Sequence, residues 1–292
     1  MHAGTGTAPG LISAADAAGP PSQETPFKTS VMLWTVLTEL PFDQRLEKMA
    51  EAGYRAVELS GEYANWTDDD FRRNNQKRAA LGITFDRTTT VMVAPGRARH
   101  AVADPSERER FLADIRSLLP IMERIDCPAL SVMSGNVVPG LSPQAQHDSC
   151  VEGLKRAAEL VEGENVTILL ENVDLKENPR YYAWSISESA KITEEVGHPQ
   201  VKVLYNLYHG QVSGGNLIAN LERHLDQIAL VQIGDVPGHH EPGTGEINYL
   251  NIYKKLGELK YDRYVAMEFF PSGDPVNILA RAREEALQAV RS

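Results

Sequence analysis

The chain has only two cysteines, Cys127 and Cys150, in 292 residues. That is too few for a disulfide framework or a thiolate zinc site, and both read as reduced core residues. It also lacks a basic excess: 29 Lys and Arg against 40 Asp and Glu leave a formal charge of −11. Such a balance speaks against a nucleic-acid partner, and the Arg72, Arg73, Lys77, Arg78 group reads as a solvated helix face. No run approaches the roughly 18 apolar residues of a membrane span, and no basic n-region with an apolar core marks a secretory signal. The first strand candidate runs on through WTVLTELPF (Trp34 to Phe42) without a glycine, so the phosphate-cradling turn of a dinucleotide-binding sheet is missing. These absences predict a soluble protein with neither nucleic-acid nor membrane partner, in the cytoplasm ahead of the periplasm; an Ala-rich start keeps export open.

What is present is an ordinary globular composition, 42% hydrophobic and 24% charged, with no linker in the middle and a length that suits one barrel of about 250 residues. Residues 1–26 are small, rich in Pro, Gly and Ala, and without period, and read as a flexible segment. Residues 27–292 read as one domain.

Within that domain, short β-rich runs alternate with longer amphipathic segments. Strands are expected at Ser30 to Val36, Ala56 to Leu59, Ile83 to Thr89, Ala129 to Met133, Val166 to Leu170, Val201 to Tyr205, Ile228 to Ile233 and Tyr264 to Met267. Eight helices follow them in turn. Thr67 with Asp70 makes a capping box. Phe111, Ile115, Leu118, Leu119 and Met122 keep helical spacing over Asp104 to Ile125. Ser142 with Pro143 opens the fourth helix, and Gly215 and Asn216 lead into the sixth. Eight strand-helix repeats with strands too apolar to have a wet face imply the α/β class and a single parallel (β/α)8 TIM barrel. A doubly wound open sheet is the rival.

Barrel chemistry gathers at the C-terminal ends of the strands. The polar residues there are Glu58, Asp86, Ser134, Asn136, Glu171, Asn206, Gln232 and Glu268. The last four stand directly behind the apolar runs ILLE, VLYN, LVQ and VAME. Buried carboxylates and amides need partners, and a cation would satisfy all four; oxygen donors without Cys or His favour Mn²⁺ or Mg²⁺ ahead of zinc. A hydrogen-bonded polar plug is the alternative. Val231 to Tyr249 (VQIGDVPGHHEPGTGEINY) joins a strand to a helix through a loop dense in Gly, Pro, His and Glu, the kind of segment that carries function. Gly243 and Gly245 are expected there to adopt backbone angles closed to other residues.

LLEN (Leu169 to Asn172), YNLYH (Tyr205 to His209), QIGDVPG (Gln232 to Gly238), HEPGTGEINY (His240 to Tyr249) and AMEF (Ala266 to Phe269) resemble the sugar isomerase and epimerase barrels of the xylose isomerase-like superfamily, and among them the hydroxypyruvate isomerase family. The resemblance runs from about Val31 to the C-terminus. It implies a metal held by Glu171, Asn206, Gln232 and Glu268, with Glu171 and Glu268 also the acid/base pair. His209 and His240 would contact substrate, and Glu246 would brace loop or substrate. Two departures stand out. The family usually has Asp where Asn206 stands, and hydroxypyruvate isomerases tend to follow the last glutamate with Tyr-Lys, where this chain has Phe269 and Phe270. Apolar surface in place of a cation favours a neutral ketose or glycoside.

The implied reaction is isomerisation or epimerisation of a small α-hydroxycarbonyl compound, with proton transfer by the two glutamates through an enediolate. Lyase or hydrolase chemistry on a sugar derivative, packed on the aromatic run Tyr181 to Trp184, is a second reading. A catalytically weak sugar-binding barrel is a third. The endonucleases of this scaffold use several zinc ions and many histidines, which this acidic chain does not match. A small molecule is the expected partner, and a homo-oligomer is left open.

Overall fold

The computed structural model describes residues 26–90 and 102–291; residues 1–25, nearly all of the segment read as flexible, lie outside them. Eight strands close in sequence order into a barrel. They are β1 (Lys28–Met32), β2 (Ala56–Glu58), β3 (Thr84–Thr89), β4 (Ala129–Val132), β5 (Thr167–Glu171), β6 (Val201–Asn206), β7 (Ile228–Ile233) and β8 (Tyr264–Met267). Every neighbouring pair is parallel, including β1 with β8. The helices are α1 (Phe42–Glu51), α2 (Asp68–Leu81), α3 (Arg108–Ile125), α4 (Pro143–Val161), α5 (Ile186–Val196), α6 (Leu207–Val212), α7 (Leu217–His224), α8 (Tyr249–Glu258) and α9 (Pro275–Arg291). The chain is a TIM barrel, as the alternation of the sequence requires.

Local chemistry sets several boundaries. Thr67 and Asp70 form the reciprocal capping box at α2, and the Ser142 hydroxyl accepts from the Ala145 amide above Pro143 at α4. The first strand ends earlier than its apolar run predicts. Leu33–Thr35 winds into a 3-10 turn, and the Thr35 hydroxyl donates to the Met32 carbonyl at 2.9 Å. Trp34 is thereby left 43% exposed at the barrel mouth. The short helix α6, not expected from the sequence, starts because the Asn206 side chain accepts from the His209 amide directly after β6.

Side chains in a strand alternate faces, so residues two apart share one. Leu169, Leu204, Leu230 and Ala266 form a buried apolar cluster of their own. Each lies two residues before Glu171, Asn206, Gln232 and Glu268 respectively. The four polar residues are therefore the next layer upward, resting on a packed apolar floor. On the opposite wall the register shifts so that Glu58 pairs with Arg87 rather than Asp86, and both charged residues of β3 find partners within the barrel.

Candidate active site

Asn206, Gln232 and Glu268 are buried, and Asn206 bonds both of the others. Asn206 Nδ2 donates to Glu268 Oε2 at 2.6 Å and to Gln232 Oε1 at 3.2 Å. Trp34 Nε1 donates to the other Glu268 oxygen at 3.2 Å. Asn172, the residue after Glu171, brackets the Asn206 backbone: its Oδ1 accepts from the Asn206 amide at 3.0 Å and its Nδ2 donates to the carbonyl at 3.3 Å. Burial, together with the Glu171 and Glu58 carboxylates, pushes the Glu268 carboxyl up to about 7. Glu171 is half-buried and faces the same cavity.

The network continues across the barrel. Gln232 Nε2 donates to Glu58 Oε2 at 2.9 Å. Glu58 also takes two bonds from Arg87, from Nε at 3.0 Å and Nη2 at 3.3 Å, while Arg87 Nη1 donates to the Ser131 hydroxyl at 2.7 Å. Burial alone would weaken the Arg87 charge; the Glu58 carboxylate more than offsets it, and the guanidinium pKa is raised. Beside this pair Asp86 has one oxygen on the Ser30 hydroxyl at 2.7 Å and the other unpartnered. Burial and the Glu58 charge push its carboxyl up to about 8.

His209 is held by Asp174, with Nδ1 and Oδ2 2.6 Å apart. The other Asp174 oxygen accepts from the Lys176 and Glu177 amides at 2.7 and 2.9 Å. Burial works against ionising both partners, yet the bond between them wins: Asp174 is held below the usual carboxylate range and His209 above the usual imidazole value. His239 stacks flat on Tyr208, with ring centroids 3.9 Å apart. Burial and the neighbouring His209 push its imidazole down to about 4, so it is neutral at physiological pH.

Together these groups line a cavity of about 850 Å³ at the C-terminal ends of the strands, with Trp34, Arg87, Glu171, His209, His239 and Glu268 in its wall. Of the residues singled out in the sequence, Glu171, Glu268 and His209 reach this wall, and Asn206 and Gln232, outside the lining, join it through the bond of Asn206 to Glu268. His240 and Glu246 are not among the lining residues. His240 Nδ1 bonds the Phe270 carbonyl at 2.6 Å, and its neighbour His239 takes the place in the wall. Glu246 is exposed and accepts from Gln211 at 3.1 Å, bracing the loop from outside. In the aromatic run, Tyr181 is a buried strut between the Ser134 amide and the Glu171 carbonyl, and Trp184 is not in the cavity wall.

Several site residues escaped the sequence reading. Arg87 carried a usable signal, an Asp-Arg pair in the middle of a strand. Trp34, His239 and Asp174, the partner of the expected His209, carried none at the level of spacing. The loop is organised by Asp235, whose oxygens accept from the amides of Val236, Gly243, Gly245 and Ile247 at 2.9 to 3.0 Å. Gly243 has a left-handed φ of +87°, as expected, but Gly245 is needed for close approach: a Cβ there would lie 2.1 Å from the Val236 carbonyl oxygen.

Whether this layer suits a divalent ion turns on the amides. Asn206 Oδ1 accepts from the His209 amide at 3.2 Å, so Nδ2 is the atom presented to Glu268 and Gln232. A hydrogen-bond donor stands where the expected four-oxygen cage needs an acceptor, and in this arrangement the set does not fit a cation. Elsewhere, Asp174, Glu177 and His209 offer two carboxylate oxygens and a ring nitrogen within 4.8 Å of one another, a donor set compatible with a metal ion.

Among known proteins, a family model described as xylose isomerase-like TIM barrel matches residues 46–291. The hydroxypyruvate isomerase of Escherichia coli is 26% identical over 245 residues, covering 83% of this chain and 93% of that protein. A 2-oxo-tetronate isomerase of Pectobacterium atrosepticum is 27% identical over 249 residues, 84% of this chain and 93% of its own. A solved structure of an AP endonuclease, family 2, from Brucella melitensis superimposes with a TM-score of 0.77 at 26% identity, covering 89% of this chain and 99% of that one. The chain belongs to the xylose isomerase-like TIM barrel family, and it is an enzyme of the isomerase kind.

Proposed function

We propose that the protein isomerises or epimerises a small, uncharged sugar-like α-hydroxycarbonyl compound by proton transfer between Glu171, Glu268 and the substrate. The observation that carries this reading is a pair of carboxylates on β5 and β8 facing one cavity, of which Glu268 is buried and held near pH 7. A group poised there serves as acid and base with equal ease. Glu171, open to the cavity, removes the proton from the carbon bearing the hydroxyl, and Glu268 returns one. Return to the neighbouring carbon exchanges aldose and ketose; return to the opposite face of the same carbon inverts it.

The enediolate that forms between the two steps needs a partner for its developing charge. His209 is suited to that task. Asp174 occupies Nδ1 and favours the charged ring, which leaves Nε2 to donate towards the substrate oxygen. No step runs through a metal, because Asn206 offers the centre a donor.

Two relatives are named for acids, hydroxypyruvate and 2-oxo-tetronate. The cations of this cavity wall argue for a different substrate charge. Arg87 is bound twice by Glu58, and Arg45 is engaged by the Leu33 carbonyl and Glu62. Among the described lining residues the further cations are His209, whose charge is matched by Asp174, and Lys176, exposed on the rim. Trp34 and Phe270, packed edge to face at 5.2 Å, offer apolar surface beside Glu268 instead. The test is solvent exchange: in D2O, neutral ketoses and the two acids are incubated with enzyme and followed by NMR. Deuterium entering a carbon next to the carbonyl of a ketose, faster than in either acid, is the expected result. Exchange in neither class sinks the proton-transfer reading.

A further inference from the structure

The orientations of the two amides at the barrel centre are fixed by partners that cannot change polarity. Asn206 Oδ1 faces the His209 backbone N–H, which only donates. Gln232 Nε2 faces Glu58 Oε2, part of a carboxylate ion-paired with Arg87, which only accepts. Turning Asn206 over would set its NH2 against the His209 N–H; turning Gln232 over would set its carbonyl oxygen against the Glu58 carboxylate. Neither flip is available without breaking bonds on both sides. With both amides locked, Gln232 Oε1, Glu268 Oε2 and Asn206 Nδ2 meet at one point, and the two hydrogens of Nδ2 are both committed, at 3.2 Å and 2.6 Å.

We propose that the Asn206 carboxamide stands in place of a divalent cation, so that the barrel centre is complete without one and the single atom Nδ2 decides this. The NH2 group does for these oxygens what a cation would do: it brings positive charge to two acceptors that would otherwise face each other unsatisfied. A cation entering the same point would meet the positive end of the amide and would have to displace both bonds. The backbone is held as firmly as the side chain, because Asn172 bonds both the amide and the carbonyl of Asn206. This inference concerns the resting site and does not rest on the proton-transfer reading.

One substitution reverses the arrangement. In Asn206→Asp, one carboxylate oxygen keeps the His209 cap and the other inherits the Nδ2 position, 2.6 Å from Glu268 Oε2. Two carboxylate oxygens at that distance need a proton or a cation between them. With Gln232 Oε1 already turned inward, the variant becomes an oxygen cage of the kind that takes Mn²⁺ or Mg²⁺.

The experiment measures metal directly. Wild type, Asn206→Asp, Glu268→Gln and Glu177→Gln are stripped with EDTA, equilibrated with Mn²⁺, and assayed for bound metal by elemental analysis and for Tm with and without the ion. The expected result is no stoichiometric Mn²⁺ in the wild-type centre and one equivalent in Asn206→Asp. The variant should melt below wild type in EDTA and recover on adding Mn²⁺, while the wild-type Tm is indifferent. Metal bound by wild type, lost in Glu177→Gln but kept in Glu268→Gln, lies at the Asp174, Glu177, His209 cluster and leaves the proposal standing. One equivalent in wild type that disappears in Glu268→Gln overturns it, as does an Asn206→Asp variant that binds no more than wild type. If Asn206→Asp does not fold, the wild-type and Glu268→Gln titrations decide alone by the same criteria.

Discussion

Asp86→Asn should stabilise the protein in neutral and alkaline solution, because Asp86 is a carboxyl that the folded state keeps protonated. It is 2% exposed, has one oxygen on the Ser30 hydroxyl, and has no partner for the other. Burial and the Glu58 charge lift its pKa from 3.8 to about 8. The sign follows from proton counting. Between those two values the folded chain holds a proton that the unfolded chain has released, so stability falls as pH rises through the window. The limiting slope from one such group is about 1.4 kcal/mol per pH unit. Between pH 5 and pH 7 that is roughly 3 kcal/mol, and at a few degrees per kcal/mol for a chain of this size it amounts to a Tm change on the order of 5 to 10 °C.

An asparagine removes the titration and keeps the rest. Its carbonyl oxygen can accept from Ser30, and its volume matches, so the fold is retained. The assay is thermal unfolding of wild type and variant from pH 5 to pH 8.5 in matched buffers. All other titrating groups are common to both chains, so the difference curve isolates Asp86. It should rise with pH in favour of the variant and level off above about pH 8, where wild-type Asp86 ionises in the folded state as well. Parallel curves would refute the reasoning and mean that Asp86 is already ionised in the folded protein.

Glu171→Gln and Glu268→Gln should each lose turnover by about 10²- to 10⁴-fold while staying folded, as expected for acid/base groups; full activity in both would leave the barrel better read as a binding protein. Asp174→Asn removes the carboxylate that favours the charged ring of His209, so an NMR titration should find the His209 pKa lowered, and an unmoved value would break the link between the two residues. Asp235→Ala leaves four backbone amides of the loop without their acceptor, at a cost of about 4 kcal/mol after partial rescue by water, or roughly 10 °C in Tm; a Tm within a degree or two of wild type would show that the loop is held by other contacts. Gly245→Val should damage the loop and activity more than Gly243→Val, since a Cβ at 245 strikes the Val236 carbonyl, whereas one at 243 meets nothing within 4 Å and carries only the strain of a left-handed φ of +87°; equal effects on kcat/KM would count against this distinction.

The barrel was legible because its signals are local and repeated. Apolar runs of strand length, caps such as Thr67 with Asp70, and stops such as Gly82, which closes α2 with a left-handed φ of +64°, need no knowledge of distant chain. The continuous apolar runs make ILLE and VAME read as buried strands, and the period of two along a strand puts Glu171 and Glu268 one layer above Leu169 and Ala266. The polar layer was therefore found with the fold. Less legible were residues whose place depends on departures from regularity. Trp34 reaches the mouth only because β1 stops at Met32 and the chain winds into a 3-10 turn. Arg87 faces Glu58 only because of the register shift between β2 and β3.

What residue types alone could not supply was polarity. Four oxygen-bearing side chains in one layer read equally well as a cation cage or as a hydrogen-bonded plug, because Asn and Gln each carry an acceptor and a donor on the same carbon. The choice is made by residues outside the layer. The His209 amide belongs to a helix that the sequence pattern did not predict, and the Glu58 carboxylate comes from a strand 174 residues from Gln232. Those two contacts turn the amides, and the turned amides decide between cage and plug. A sequence alignment position tells which atoms are available; only the surrounding donors and acceptors tell which atom faces the centre. For that reason the orientation of the nitrogen at residue 206 carries more information about this site than the residue types at the other three positions of its layer, and it is the atom on which the metal measurement turns.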